Sequence, residues 1–161
     1  MKDKKGNYGF TLIELIIVLA IIAAMITICV PYANRSNNYL KLREQTYNIA
    51  ETIKYGMNLA IDSKRSVRFT LDTRKKSYWL ETSDENGFFR AIEGFGGTIN
   101  YMEETIFISD MEGFYPSGHE WYLIFDINRE WPYAYLNLST KELLETIRIK
   151  ARDVEIKERT F

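Results

Sequence analysis

Glu14 is the residue whose type and position most clearly require a chemical explanation. It is the only ionisable side chain in the apolar run from Phe10 to Val30, FTLIELIIVLAIIAAMITICV. If this run crosses a membrane, a carboxylate in it costs about 2.5–3.5 kcal/mol at the centre and less near the ends. Because the run contains no Lys or Arg, a cationic partner for Glu14 must come from another chain or from an α-amine. The alternative is that the carboxylate reaches the lipid headgroups and has no partner.

The other residue types that carry catalysis or bind metals are too isolated to form a site. The single histidine, His119, lies in a turn-like segment, and the single cysteine, Cys29, lies in the apolar run. Asp126, Asn128 and Glu130 alternate like the first ligands of a calcium loop, but the sharp-turn glycine and the distal glutamate are missing. These three residues are interpreted as a polar hairpin turn. The sequence therefore predicts no catalytic residue, no metal and no cofactor, and a protein that is not an enzyme.

The charge balance argues against a nucleic-acid-binding protein. The chain of 161 residues has 21 Lys and Arg against 22 Asp and Glu, a formal net charge of −1, whereas nucleic-acid binders show a basic excess or patch. The basic run Arg74-Lys75-Lys76 is interpreted as the solvated tip of a hairpin, with DNA contact as the alternative. We therefore expect no nucleic-acid partner.

The apolar run itself predicts a membrane span. At about 1.5 Å per residue, a helix over residues 10–30 would be roughly 31 Å long, close to the ~30 Å hydrocarbon core of a bilayer. The run has no polar face, which a buried helix of this length would normally show. Residues 1–9 are short, polar and basic. A cleaved secretory signal is disfavoured, because its apolar region is usually only about 7–15 residues long.

The residues around Glu14 resemble a known family. GFTLIE at residues 9–14, followed by the apolar run, is similar to the class III signal of type IV pilins and type II secretion pseudopilins. The resemblance implies that a membrane prepilin peptidase cleaves between Gly9 and Phe10 and that the new amine of Phe10 is methylated. It also implies that Glu14 pairs with the N-terminal amine of a neighbouring subunit during assembly, which would supply the missing cation. Pro31 lies where many members have a helix-kinking proline.

A second helical pattern follows the apolar run. The polar residues 32–38 are expected to loosen the helix for a turn or more. From Tyr39 to about Asp62 an amphipathic pattern resumes, and its apolar positions predict packing against a domain core: Ile49/Ala50, Ile53, Met57 and Ala60/Ile61. Gly56 is about 1 kcal/mol less favourable than Ala in a helix, and we expect it where a strand crosses closely.

From Ser66 onward the apolar period switches to two, which predicts strands. Alternation with short polar turns favours one or two antiparallel sheets packed on the helix. Trp79, Trp121 and Trp131 are interpreted as core residues. The predicted strands cover Val67–Leu71, Tyr78–Leu80, Thr98–Tyr101, Thr105–Ser109, Trp121–Ile127, Tyr133–Leu138, Thr146–Ile149 and Val154–Ile156.

The predicted fold class is α+β and pilin-like, with a long N-terminal helix packed against an antiparallel β-sheet head. Residues 1–9 form the cleaved leader, 10–30 the transmembrane helix, 31–63 its amphipathic continuation and 64–161 the β-rich head. The junction over residues 59–69 resembles that of the GspH/FimT-type minor pseudopilins and minor pilins. Ala60, Ile61 and Val67 match that pattern, whereas residues 56–57 and 64–65 depart from it.

The resemblance implies a structural subunit, a minor pseudopilin of a type II secretion pseudopilus that helps to export folded proteins. Its implied partners are the prepilin peptidase, other pseudopilin subunits, an inner-membrane assembly platform and the lipid bilayer. The implied location is the plasma (inner) membrane, single-pass, with the N-terminus cytoplasmic and the head periplasmic or extracytoplasmic. Two alternatives stay open: a minor type IV pilin or competence pseudopilin for adhesion, motility or DNA uptake, and a monomeric membrane-anchored binding domain that keeps residues 1–9.

Overall fold

The structure, a computed structural model, describes residues 11–92, 97–141, 143–150 and 153–160, without the side chains of 28–35, 159 and 160. One long helix, α1 (Leu12–Ser63), opens it. The bounds of α1 include Pro31 and the polar residues 32–38, so the loosened turn expected there is not seen. A proline removes only one donor from the helical ladder, and the turns on either side can keep their hydrogen bonds. Contacts divide the chain into two units, residues up to Asn37 and residues from Asn38 onward.

The part of α1 that belongs to the second unit buries the predicted apolar stripe. Ile49, Ile53 and Ala60 are fully buried, and Ala50 and Met57 are nearly so. Ile61, which the sequence pattern offered as an alternative to Ala60, is 41% exposed. A step of one residue rotates a side chain by about 100° around a helix. This rotation turns Ile61 to the edge of the buried face, whereas Ile49 and Ala50 both lie within that face.

Ten strands follow α1 in the described part of the chain, and all their pairings are antiparallel. They are β1 (Val67–Asp72), β2 (Ser77–Ser83), β3 (Phe89–Ala91), β4 (Asn100–Tyr101), β5 (Phe107–Glu112), β6 (Tyr115–Ser117), β7 (Glu120–Phe125), β8 (Ala134–Ser139), β9 (Leu143–Lys150) and β10 (Asp153–Thr160).

The strands form two sheets. The first has the order β3-β2-β1-β7-β6, with β4 also paired to β2, and the second has the order β10-β9-β8-β5. The hairpin that joins β1 and β2 is closed by Asp72, whose carboxylate accepts hydrogen bonds of 2.9 Å from the N–H groups of Arg74 and Lys75. The inward residues of both sheets and the apolar stripe of α1 form one core cluster. The predicted α+β fold, a long helix packed against antiparallel sheets, is therefore confirmed.

Two short strands were missed. The sequence analysis found no strand near β3 and treated residues 116–118 as a separator, whereas β6 includes Pro116. A proline is tolerated there because β6 is an edge strand, paired only with β7 in its sheet, so one side needs no backbone donor. Strands of three residues are too short to show an alternating pattern.

Two of the three tryptophans pack against the core, and the third lies on the outer face of the first sheet. Trp121 and Trp131 pack against the core cluster, as predicted. Trp79 is half-buried and lies opposite Thr70 of β1. Because its neighbours Tyr78 and Leu80 point into the core, alternation along the strand turns Trp79 to the outer face. The core prediction was wrong for this residue.

Gly56 lies where the sequence analysis expected a close strand approach. A Cβ added at this buried position would come within 2.8 Å of Leu80 Cδ2 and 3.5 Å of Val67 Cγ1. Leu80 is fully buried, so its side chain has little space into which it could move. The absence of a side chain at Gly56 therefore lets β2 and β1 pack directly on α1.

Gly56→Ala is expected to lower the free energy of unfolding of the second unit by about 1 kcal/mol. Overpacking against Leu80 costs about 1–3 kcal/mol, and the better helix propensity of alanine returns about 1 kcal/mol. The measurement is urea unfolding of the full chain in maltoside micelles, followed by circular dichroism. The matched control is Asn58→Ala, an exposed position two residues away, which should be neutral or slightly stabilising. An equal gain in both variants would show that the space at Gly56 is not limiting.

Candidate assembly site

Glu14 lies in the first turn of α1, where its carboxylate is held by Thr11. Glu14 Oε2 accepts hydrogen bonds from the backbone N–H of Thr11 at 2.8 Å and from Thr11 Oγ1 at 3.0 Å. In return, Thr11 Oγ1 accepts from the N–H of Glu14 at 3.3 Å. This reciprocal arrangement is a capping box, with a threonine at the N-cap and a glutamate three residues later.

The capping box changes the interpretation of Glu14 within one chain. The sequence analysis looked for a cation and missed Thr11, although the pattern T-x-x-E at residues 11–14 is a recognised signature of a helix start. In the structure the carboxylate has two donors from its own chain. Both donors are neutral, so these two hydrogen bonds do not compensate the negative charge of Glu14, and a cation from another chain would still gain a charge–charge interaction with it.

The side chains that follow Glu14 leave an apolar surface uncovered. The large apolar side chains from Leu12 to Ile26 are between 45% and 77% exposed. Apolar surface of this extent is unfavourable in water and marks contact with lipid or with other protein surfaces. Within the described residues, no helix combines the length and the apolar character that a membrane crossing requires.

Several predicted site residues lie outside the described residues. Gly9 and Phe10 precede them, so cleavage and methylation there stay predictions. The backbone of Pro31 lies within α1, but its side chain is outside the description, and the kink at this position likewise stays a prediction. The same holds for the side chain of Cys29.

The residues considered and rejected as catalytic or metal sites have structural roles. His119 is exposed, and its backbone carbonyl accepts hydrogen bonds from the N–H and Oγ1 of Thr73. Asp126 Oδ1 accepts from the N–H of Asn128 at 2.9 Å, and Asp126 Oδ2 accepts from Ser66 Oγ at 3.1 Å. These bonds hold the predicted turn after β7 and lower the pKa of Asp126. The described residues contain no cluster of three or more His, Cys, Asp or Glu side chains that could hold a metal ion.

The basic run at the β1–β2 hairpin is only partly solvated. Arg74 and Lys75 are exposed, as predicted for a hairpin tip. Lys76 instead turns towards the loop before β5, where its Nζ donates to the carbonyl oxygens of Glu104 at 2.7 Å and Ile106 at 3.0 Å. The same ammonium lies 4.5 Å from the ring centroid of Phe107. Lys76 therefore connects the β1–β2 hairpin to the loop before β5, and two of the three basic side chains remain exposed.

Two comparisons with known proteins connect this geometry to a family, and a third gave nothing. A family model of the prokaryotic N-terminal methylation motif matches residues 4–30, which contain Gly9, Phe10, Thr11 and Glu14. No curated protein matches the chain. Among solved structures, the chain is similar to the minor pseudopilin EpsH from the Type 2 Secretion System of Vibrio cholerae. The TM-score is 0.58 at 10% sequence identity, over 74% of this chain and 97% of that one.

These findings bear on different parts of the molecule. The methylation motif covers the segment that contains the capping box, and the structural similarity concerns the fold, since 10% identity by itself implies no shared activity. The resemblance drawn from the sequence alone is confirmed by both. The start of the chain carries a prokaryotic N-terminal methylation motif, and the chain has a fold similar to that of a minor pseudopilin.

Proposed function

We propose that this chain is a minor pseudopilin, a structural subunit of a type II secretion pseudopilus that takes part in the export of folded proteins. The observation that carries the proposal is the presence, in one chain, of a methylation motif at residues 4–30 and a fold similar to that of a minor pseudopilin. Neither feature alone would be sufficient, because the motif is also found in pili and the fold similarity comes at low identity.

The proposed pathway begins at the membrane. The prepilin peptidase cleaves after Gly9, Phe10 becomes the methylated N-terminus, and residues 10–30 anchor the chain in the inner membrane with the head outside. The uncovered apolar side chains from Leu12 to Ile26 support this, because transfer from lipid to neighbouring helices keeps them away from water. An inner-membrane assembly platform then moves the subunit into a filament with other pseudopilins.

Glu14 has two roles in this proposal. Within the chain it caps the start of α1 together with Thr11. During assembly its uncompensated charge receives the N-terminal ammonium of a neighbouring subunit. The second role gives the filament its axial register, because an ion pair in a poorly solvated setting is strongly unfavourable when one partner is missing.

Processing is tested by co-expression with an active prepilin peptidase, followed by intact mass measurement and N-terminal sequencing. The expected product lacks residues 1–9 and carries one added methyl group on Phe10. Gly9→Leu is expected to abolish cleavage, whereas Gly6→Leu, the matched change within the leader, should leave it intact. An uncleaved chain in the presence of active peptidase would contradict the proposal and favour a monomeric membrane-anchored domain.

Assembly is tested by comparing Glu14→Ala with Thr11→Val. Both changes break the capping box, which is worth about 1 kcal/mol, but only Glu14→Ala removes the charge. We expect both variants to be processed, Thr11→Val to enter sheared pseudopilus fractions, and Glu14→Ala to remain in the membrane fraction. An equal defect in both variants would mean that Glu14 acts only as a helix cap. Assembly into a pilus with a retraction ATPase, rather than into a secretion pseudopilus, would favour a minor type IV pilin.

A further inference from the structure

The second unit has a groove that plays no part in the proposed function and whose lining is rich in tyrosine. Its volume is about 530 Å³, and it is lined by side chains of α1, β2 and β4. Three tyrosines and one carboxylate are the distinctive members of its lining: Tyr47, Tyr55, Tyr78 and Glu51. We refer to it as the tyrosine groove.

The wall on α1 is built by helical spacing. Tyr47, Glu51 and Tyr55 are four residues apart, and side chains with this spacing are neighbours on one helix face. Tyr47 is 57% exposed and Tyr55 is 42% exposed, whereas Tyr78 is buried. Burial raises the pKa of the Tyr78 hydroxyl, which accepts a hydrogen bond from Gln45 Nε2 at 3.4 Å. The groove therefore has a fixed tyrosine below and two accessible tyrosines on the wall.

Among the described residues that line the groove, Glu51 is the only one with a charged side chain. In the part of the chain that the structure describes, Glu51 has no ion-pair partner. An uncompensated carboxylate between two accessible aromatic rings favours a cation. The ring faces attract it through their quadrupole, and the carboxylate attracts it directly.

The size of the groove indicates more than a single cationic group. A volume of about 530 Å³ is within the range of about 300–1,000 Å³ typical of ligand sites. The amide groups of Asn48 and Asn100, which also line it, can hydrogen-bond to a peptide backbone on either side of the cation. These features fit an extended segment of a protein that carries one basic side chain.

We propose that the tyrosine groove binds an arginine-bearing segment of a partner protein, with the guanidinium between Tyr47 and Tyr55 and paired with Glu51. Arginine fits better than lysine, because its planar guanidinium stacks on aromatic faces and can pair with a carboxylate through two N–H groups. The residues of this site are outside the methylation motif at residues 4–30, so the inference does not depend on the proposed processing or assembly.

The test uses the full chain in maltoside micelles, labelled with 3-fluorotyrosine and observed by ¹⁹F NMR. Maltoside is chosen because a choline headgroup would itself compete for an aromatic cation site. The probe is a blocked pentapeptide with a central arginine flanked by glycines, and its neutral counterpart has citrulline in place of arginine. Tyr47 and Tyr55 resonances are assigned by Tyr47→Phe and Tyr55→Phe.

We expect the arginine peptide to shift the Tyr47 and Tyr55 resonances with a dissociation constant of about 1 mM. The citrulline peptide should bind at least about tenfold more weakly. Glu51→Gln and Tyr47→Leu should each weaken binding about 3- to 30-fold. The matched controls are Glu44→Gln, exposed on the same helix, and Tyr133→Leu, which is 61% exposed outside the groove; both should bind as the unmodified chain does.

Three results would overturn the proposal. The first is the absence of resonance shifts at about 10 mM peptide, tenfold above the expected constant. The second is equal binding of the arginine and citrulline peptides, which would indicate a neutral ligand. The third is a dependence of the Tyr47 and Tyr55 resonances on protein concentration without peptide, which would show that a second copy of this chain occupies the groove.

Discussion

Replacing Arg68 with methionine is expected to lower the free energy of unfolding of the second unit by about 2–4 kcal/mol. Arg68 lies at the centre of the outer face of the first sheet, and its Nε and Nη2 each lie 2.7 Å from Glu81 Oε2. The side chains are only 26% and 14% exposed. Its guanidinium also lies 4.5 Å from the ring centroid of Phe89 and 5.5 Å from that of Tyr122.

The size of this loss in stability follows from the interactions that Glu81 and the neighbouring rings lose when Arg68 is replaced. Without Arg68, the mostly buried carboxylate of Glu81 keeps a single hydrogen-bond donor among the described residues, the hydroxyl of Thr70 at 2.8 Å. Removing one partner of a fully buried ion pair costs about 3–5 kcal/mol, and partial exposure reduces that figure. Two cation–π contacts, each worth about 0.5–2 kcal/mol, are lost as well, although methionine replaces some of the packing.

The measurement is urea unfolding of the full chain in maltoside micelles, with Arg90→Met as the matched control. Arg90 is on the adjacent part of the same sheet, where it pairs with Asp84 at 3.3 Å, but its side chain is 76% exposed. Surface pairs contribute about 0–1 kcal/mol, so this variant should lose little. Arg68→Lys should fall between the two, because it keeps the charge without the planar fork. Equal losses for Arg68→Met and Arg90→Met would show that burial does not strengthen the Arg68 pair.

The period of the apolar residues allowed much of the fold to be predicted. The stripe Ile49, Ile53, Met57 was predicted to be core because helical spacing places these side chains on one face, and all three are buried. The alternation Val67, Phe69, Leu71 likewise predicted β1. Gly56 was expected at a close strand approach for a different reason: glycine destabilises the interior of a helix, so its presence there indicates that a side chain would not fit.

Strand order and sheet membership could not be predicted in this way. β1 pairs with β7, about fifty residues later in the chain, and nothing local to either strand specifies that pairing. The Arg68–Glu81 pair depends on the β1–β2 register, so neither residue was singled out. The capping box is the opposite case, since Thr11 and Glu14 are separated by a fixed local spacing and could have been recognised from the sequence.

Glu145 is a buried charged residue that interrupts the apolar alternation of the strand to which it belongs. Its position alternates with Ile147 and Ile149 on the inward face of β9. A glutamate at an inward position does not fit an apolar alternation, and the predicted strand accordingly began at Thr146 instead of Leu143. The residue was therefore placed outside the strand in which it is buried.

Glu145→Leu is expected to stabilise the second unit at neutral pH by about 1–3 kcal/mol. Glu145 is 2% exposed, and neither of its carboxylate oxygens has a hydrogen-bond partner among the described residues. An unsatisfied buried polar group costs about 1–3 kcal/mol, more when it is charged. Glu158 lies directly opposite on β10, and its like charge, although offset in part by Arg43 at 3.0 Å, adds to the cost because like charges opposite each other across strands are destabilising. Leucine removes both costs, although its branched and slightly bulkier side chain must be accommodated in the packed core.

The pH dependence has a definite sign. Burial raises the pKa of Glu145 above its usual range, and Glu158 adds to the rise. The charge of Arg43 opposes it, as does the nearby hydroxyl of Thr46, which donates its hydrogen bond to the carbonyl oxygen of Leu42 and not to Glu145. Below the usual glutamate pKa of about 4.3, Glu145 is protonated in both the folded and the unfolded chain and adds no pH-dependent cost. As the pH increases from there to the raised folded pKa, the unfolded chain releases its proton first, so stability falls. The contribution of Glu145 is thus least unfavourable in mild acid.

Three variants separate charge from burial when urea unfolding is measured between about pH 4 and pH 8. Glu145→Gln should remove the fall in stability with pH, because it cannot ionise, but should keep the cost of an unsatisfied polar group. Glu145→Leu should remove both. The matched control Glu44→Gln, at an exposed position on α1, should leave the pH dependence of the unmodified chain unchanged. If Glu145→Gln keeps the full fall, another group titrates in this range and Glu145 is paired in the folded protein.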